Sequence, residues 1–188
     1  MPHVKYPEEA IFDAAFEMTR DHGMEKVTAD AIAAKLGCSK SPIYTVFKNM
    51  DELKTAVLRR ATKKYTEILF TDLQEHPPSI QLALNYVRFA REYPHLFKFM
   101  FLCDRGENNR IINHKLDENK VIVVDEIQKR LKLTYDEAVD HYIKMGIFCN
   151  GIAAMIISKT AIFNDKDIAR LITEVGDAIL PAGKKRKG

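Results

Sequence analysis

Apolar residues recur at three- and four-residue spacing along almost the whole chain, and turn signals separate one such stretch from the next. That rhythm belongs to helices, whose side chains return to one face about every 3.6 residues. No stretch alternates with the period of two that a half-buried strand requires. The predicted fold class is therefore all-α. Pro7 opens a first helix with Glu8 and Glu9 at its positive end and Ile11, Phe12, Ala15, Phe16 and Thr19 on its apolar face, and Gly23 closes it as a left-handed cap. Thr28 caps a second helix that reaches Leu36, and Gly37 breaks it. A third opens at Ser39 and carries Pro42 in its first turn, where no intrahelical N–H is lost.

Asn49 caps a fourth, longer helix, with Glu52 placed to reach back to the Asn49 N–H, and Pro77-Pro78 stop it after about Gln74. Helix 5 is predicted from Ser79 to Tyr93, a short apolar helix 6 from about His95 to Leu102, and helix 7 from about Asn109 to Leu131 after a polar loop at 104–109. Thr134 and Glu137 form a capping box for helix 8, which runs to about Ala161, and Asn164 caps helix 9, which Pro181 ends.

Composition removes several classes. At 46% hydrophobic the chain is neither disordered nor collagen-like. Cys38, Cys103 and Cys149 are distant and form no C-x-x-C pair, which speaks against a zinc ribbon or disulfide scaffold and for a reducing cytoplasm. The opening residues lack an apolar signal region, and the most apolar stretch, Met145 to Ile157, is interrupted by Asn150 and Gly151 and falls short of the roughly 20 residues that span a bilayer. A soluble cytoplasmic protein with no membrane partner is expected. Residues 1–64 hold 11 Lys/Arg against 9 Asp/Glu, residues 65–180 hold 14 against 17, and the tail 181–188 holds four basic residues and no acidic one. Basic charge thus sits at both ends. The tail reads as a disordered, solvated end or as a DNA arm.

The segment from Val27 to Leu53 carries the chemistry. Ala29, Ile32, Ala33 and Leu36 share one face of the second helix, Ile43 and Phe47 one face of the third, and Leu36-Gly37-Cys38-Ser39 joins them in a sharp turn. This is the pattern of a helix-turn-helix. The third helix then presents Lys40, Ser41, Pro42, Tyr44, Thr45 and Lys48 outward, with Ser39 at its start. Lysine reaches phosphate or guanine, the hydroxyls of serine and threonine meet base edges, and the Thr45 methyl and Pro42 ring can pack on a thymine methyl. Tyr44 either covers the core rim or hydrogen-bonds a phosphate, and the helix start at Thr28 offers N–H groups to another phosphate.

Thr28, Ile32-Ala33, Gly37-Cys38-Ser39, Tyr44, Phe47 and Leu53, at their spacing, resemble the N-terminal domain of TetR-type repressors over about residues 7–60. Met50 stands where that family usually has a lysine, leaving Lys48 to supply the phosphate contact, and Cys38 stands where it often has valine. The resemblance implies a nine-helix protein: a helix-turn-helix domain (1–52), a helical effector-binding and dimerisation domain (53–181) and the basic tail (182–188). It also implies a repressor released from a palindromic operator when a small molecule enters the body and shifts helix 4.

Within the body, residues 95–102 are rich in aromatics and form either a core helix or the floor of an apolar effector pocket lined by Tyr86, Phe89, Phe99, Met100, Cys103, Tyr142, Met145, Phe148 and Cys149. Such a lining suits a small apolar or aromatic effector. Helix 8 is apolar nearly all round and holds Gly146, Gly151, Ala153, Ala154 and Ser158. It must be buried, within the chain or against a second copy. Helices 8 and 9 are the expected homodimer interface, with double-stranded DNA as the other partner. No cofactor, metal site or catalytic constellation is expected: His95, His114 and His141 lack metal spacing, and there is no phosphate loop. The rival reading is a helical small-molecule carrier or enzyme.

Overall fold

Several predicted starts and stops leave a local signature in the computed structural model, which describes residues 7–71, 76–103 and 118–184. Pro7, extended at ψ 145°, precedes α1 (Glu8–His22), and Gly23 ends it. The Thr28 hydroxyl accepts the Ala31 N–H at the head of α2 (Ala29–Leu36). Gly37 then adopts the left-handed conformation (φ 66°, ψ 34°), with the Cys38 N–H returning to the Ala33 carbonyl at 3.0 Å, a Schellman closure. α3 (Ser41–Val46) and α4 (Met50–Leu69) follow, then α5 (Pro78–Glu92), α6 (Pro94–Phe97), α7 (Glu118–Leu131), α8 (Tyr135–Ile157) and α9 (Asp165–Ala178). A 3₁₀ turn at Met24–Lys26 and a π-helical turn at Lys98–Leu102 complete the elements, and the described residues contain no strand. The fold is all-α with nine α-helices among those residues.

Several details differ from the sequence expectation. Gly23 has positive φ but an extended ψ (93°, 152°), so it leaves α1 without the left-handed cap geometry. α3 starts at Ser41, two residues late, because Lys40 rather than Ser39 takes the boundary position. The Glu52 carboxylate accepts the Lys48 N–H at 2.7 Å, not that of Asn49, while the Asn49 side chain does accept the Glu52 N–H at 2.9 Å. The box is thus one residue wider at its head than the Asn49–Glu52 spacing suggests. The sixth helix divides into α6 and the π turn. α8 stops at Ile157, where Lys159 turns left-handed (φ 59°). α4 ends at Leu69, before the expected stop near Gln74, with residues 70–71 in a turn; the polar loop at 104–109 and the start of helix 7 lie outside the described residues.

The chain forms two units, residues 1–65 with 93–103, and residues 66–92 with 104–188. In the first, Ile11 and Ala15 of α1, Ile32 of α2, Ile43 of α3 and Leu53 and Val57 of α4 are sealed from solvent. Arg60 of α4 covers the half-buried rings of Phe12 and Phe16 (4.8 Å to the Phe16 centroid) and pairs with Asp13. Guanidinium stacking is thus added to apolar burial. Phe99 packs against the same core. In the second unit, α5 lies against α7, α8 and α9. Leu84, Val87, Cys149, Ile152, Ile168 and Ile172 form one core; Val124, Ile127, Leu133, Ala138 and Leu180 form another. Residues 182–184 belong to this unit, with the Lys184 amine donating to the Lys132 carbonyl at 2.6 Å; the rest of the basic tail lies outside the described residues.

Two substitutions separate backbone from packing in the first unit. A Cβ at Gly37 would meet no atom within 4 Å. Gly37→Ala should therefore lose only the left-handed penalty, about 1–2 kcal/mol. Leu53→Ala opens the sealed core and should lose about 2–5 kcal/mol. Urea unfolding of the full chain should rank Leu53→Ala as the more damaging.

Candidate nucleic-acid interface

α3 has a buried side and a wet side, and sequence alone sets which is which. Ile43 and Phe47, four residues apart, are both buried in the first unit's core. Their burial turns Lys40, Ser41, Tyr44 and Thr45 outward; all four are exposed, and Tyr44 shows 51% of its surface. Ser39 and Lys48 flank them, exposed, and Pro42 is half-buried. Thr28 is exposed at the head of α2.

The polar groups of this surface are partly engaged already. The Thr45 hydroxyl donates to the Ser41 carbonyl at 2.9 Å, which leaves its lone pairs and methyl for other contacts. Lys40 pairs with Asp30 of α2 at 3.0 Å, and this hydrogen bond raises the lysine pKa. Both partners are in solvent, so the pair is weak and open to exchange for a phosphate. Met50 packs against the core, so its side chain is committed to packing rather than to a backbone contact. The expected contacts Thr28, Ser39, Lys40, Ser41, Tyr44, Thr45 and Lys48 are therefore all solvent-accessible parts of α2, α3 and their flanks.

The expected effector-lining residues are drawn from both units. Tyr86, Met145, Phe148 and Cys149 share one core of the second unit, and Tyr142 lies beside it in the other core. Phe89, in the same unit, is fully buried. Phe99, Met100 and Cys103 belong to the first unit, where Phe99 and Met100 are packed and Cys103 is exposed.

The Tyr86 hydroxyl donates to the Asn150 side chain at 3.1 Å, and burial raises its pKa far above the ordinary phenol range. Burial also pushes the Cys149 thiol up to about 12. Both stay neutral, in an apolar site with one amide at its edge. Sequence reading missed Asn150 as a partner; its signal was a lone amide inside the most apolar stretch. Gln81 and Asn85, buried amides four residues apart on α5, were missed as well.

On α8 the other face is bare. Ile147 (65% exposed), Gly151 and Met155 (48% exposed) recur every four residues and form a stripe with Ser158. A Cβ at Gly146 or Gly151 would meet nothing within 4 Å. Among the described residues no three His, Cys, Asp or Glu side chains are grouped to hold a metal, and no helix is long and apolar enough to cross a membrane.

Comparison with known proteins converges on one family. Residues 11–57 match the family model of bacterial regulatory proteins of the tetR family. Two uncharacterised HTH-type transcriptional regulators of Mycobacterium tuberculosis are each 25% identical over 107 residues, a match covering 54% of this chain and 45% of theirs. The chain thus matches somewhat less than half the length of these relatives.

Among solved structures, a TetR-like transcriptional regulator from Rhodococcus sp. RHA1 superposes with a TM-score of 0.63 at 18% identity, covering 90% of this chain and 92% of that one. A TetR-family member from Streptomyces coelicolor A3 gives 0.63 at 16%, covering 93% and 98%. MexZ, a repressor responsible for antibiotic resistance in Pseudomonas aeruginosa, gives 0.59 at 16%, covering 96% and 98%. At these identities the structures establish the shared fold.

The thiols report on this description. With its pKa raised to about 12 by burial, Cys149 should hold almost no thiolate at pH 8 and resist an aromatic disulfide reagent until the protein unfolds. Exposed Cys103 should react at once. Prompt modification of Cys149 in the native protein, read by peptide mass, would contradict the packing of α5, α8 and α9.

Proposed function

The chain belongs to the TetR family of bacterial regulatory proteins, and from that premise we propose a homodimeric, sequence-specific DNA-binding regulator. It acts as a repressor that leaves a near-palindromic operator when a small apolar or aromatic effector enters its helical body. The observation that carries the reading is the wet face of α3: basic, hydroxyl-bearing and aromatic side chains project from a six-residue helix whose other side is locked in the core. Tyr44 and Lys48 take phosphates, with Thr28 at the head of α2, while Ser39, Lys40, Ser41, Pro42 and Thr45 meet base edges or neighbouring backbone.

One such helix makes few base contacts. Two copies related by a two-fold axis read successive major grooves. The bare stripe on α8, together with half-buried Leu171 and Val175 of α9, supports helices α8 and α9 as the surface that pairs them. Residues 1–52 read DNA, residues 53–181 bind effector and dimerise, and the protein works in the cytoplasm.

Tyr86, Met145, Phe148 and Cys149, with Tyr142 beside them, are the effector-facing group we favour. Their neutral, apolar character suits a ligand of the same polarity. Effector binding changes operator affinity by a coupling of about 1–3 kcal/mol.

Retention of genomic fragments by purified protein at about 50 mM and about 200 mM salt tests the reading. A few fragments sharing an inverted repeat should be held selectively and less tightly at the higher salt. The Lys40→Ala, Tyr44→Ala pair should abolish that retention while leaving the helical signal unchanged. Uniform or absent retention by the unaltered protein would favour a carrier or enzyme instead. Ile147→Asp with Met155→Asp should convert the sedimenting species from dimer to monomer.

A further inference from the structure

α5 carries two amide side chains in its packed interior, and both converge on the end of α4. Asn85 is 2% exposed, and its Nδ2 donates to the Leu69 carbonyl at 3.1 Å and the Thr71 carbonyl at 2.6 Å. The Leu69 carbonyl is the last of α4, where the final turn of any helix has acceptors without intrahelical donors, and the Thr71 carbonyl lies two residues beyond it. The Asn85 Oδ1 in turn accepts the Nε2 of Gln81, 6% exposed, at 3.1 Å. That bond fixes which end of the Asn85 carboxamide faces the helix.

Gln81 makes it at the expense of its own oxygen, which is buried and has no partner among the described residues. Two leucines of similar volume would fill this space, but they would leave the Leu69 and Thr71 carbonyls without the donor that Asn85 supplies. Packing alone therefore does not call for the amides. What they supply is a pair of oriented donors at one point, the terminus of α4.

We propose that Asn85 is a positioning residue for DNA reading: oriented by Gln81, it latches the C-terminal end of α4 and so fixes the helix that leads out of the recognition module. The inference rests on the DNA-binding reading above and specifies its regulation. α4 runs from Met50 to Leu69 without interruption, and Leu53, Val57 and Ala61 are completely buried near its start. A helix whose hydrogen bonds are continuous transmits a displacement of one end to the other. Releasing the latch frees the α4 end and loosens the setting of the recognition helices in the dimer.

The test uses the full-length protein and two substitutions. Asn85→Asp keeps the shape but removes both N–H donors, and even the protonated acid offers one donor where the amide offers two. Gln81→Leu removes the orienting donor along with the unpaired oxygen, so its melting temperature should equal or exceed the parent's. Hydrogen exchange followed by mass spectrometry should accelerate in both variants across residues 50–69, not only at the latched end.

Binding should also be measured on duplexes whose two half-sites are moved apart or together by one and two base pairs. The parent should prefer one spacing; both variants should lose most of that preference, Asn85→Asp more completely. A purely structural role would lower the active fraction and leave the preference intact. Exchange confined to residues 66–71, or an unchanged spacing preference, overturns the proposal. A parent protein with no spacing preference defeats the DNA-binding reading instead, and the exchange pattern alone then decides the latch.

Discussion

α2 and α3 are too short to exist by themselves. Eight and six residues are well below the length at which a helix holds together in water. They persist because Ile32, Ile43 and Phe47 are buried against Ile11 and Ala15 of α1 and Leu53 and Val57 of α4. The wet surface of α3 is thus a by-product of a core. Ile43 and Phe47 decide which way α3 faces, and Gly37, at φ 66°, decides the angle at which it leaves α2. A side chain on the wet face can change with little effect on the module, whereas a change at Leu53 removes the support on which every exposed contact depends.

The same division explains what could be read in advance. Elements held by local chemistry were legible: the Thr28 and Asn164 caps, the Thr134–Glu137 box and the Gly37 turn all form as the sequence indicates. These motifs close within five residues, so spacing specifies them. The wet face of α3 was equally legible, because a helix with two anchored apolar residues has only one way to turn.

Tertiary decisions were not legible. Phe99 and Met100 have the composition of a ligand pocket, yet they belong to the first unit, because α6 and the π turn fold with α1. Periodicity reports that a side chain will be buried but not against what. Lys159 is another case: a lysine in left-handed backbone ends α8 earlier than its apolar run suggests.

Polar groups inside the second unit sort by what they satisfy. Tyr86 and Asn150 are hydrogen-bonded to one another, and burial keeps Tyr86 and Cys149 neutral. His141 differs. It is 6% exposed, its Nδ1 has no partner among the described residues, and burial lowers its pKa despite Asp140 and Asp177 acting in the other direction. The unfolded chain then binds a proton that the folded chain refuses. The neutral histidine is therefore tolerated above its unfolded pKa of about 6.5, and stability declines as pH falls below that value.

α4 gathers these constraints into one element. At its head, Asn49 accepts the Glu52 N–H and Glu52 accepts the Lys48 N–H, so the residues following α3 are tied to the first turn of α4 by two charge- or amide-based bonds. At its foot, Asn85 fills the two carbonyls that a helix end leaves open. A helix capped by side chains at both ends does not fray, and its 20 residues span about 30 Å. Fraying would let a movement at one end die out within a turn. Bonds at the head and at the foot of α4 oppose such fraying.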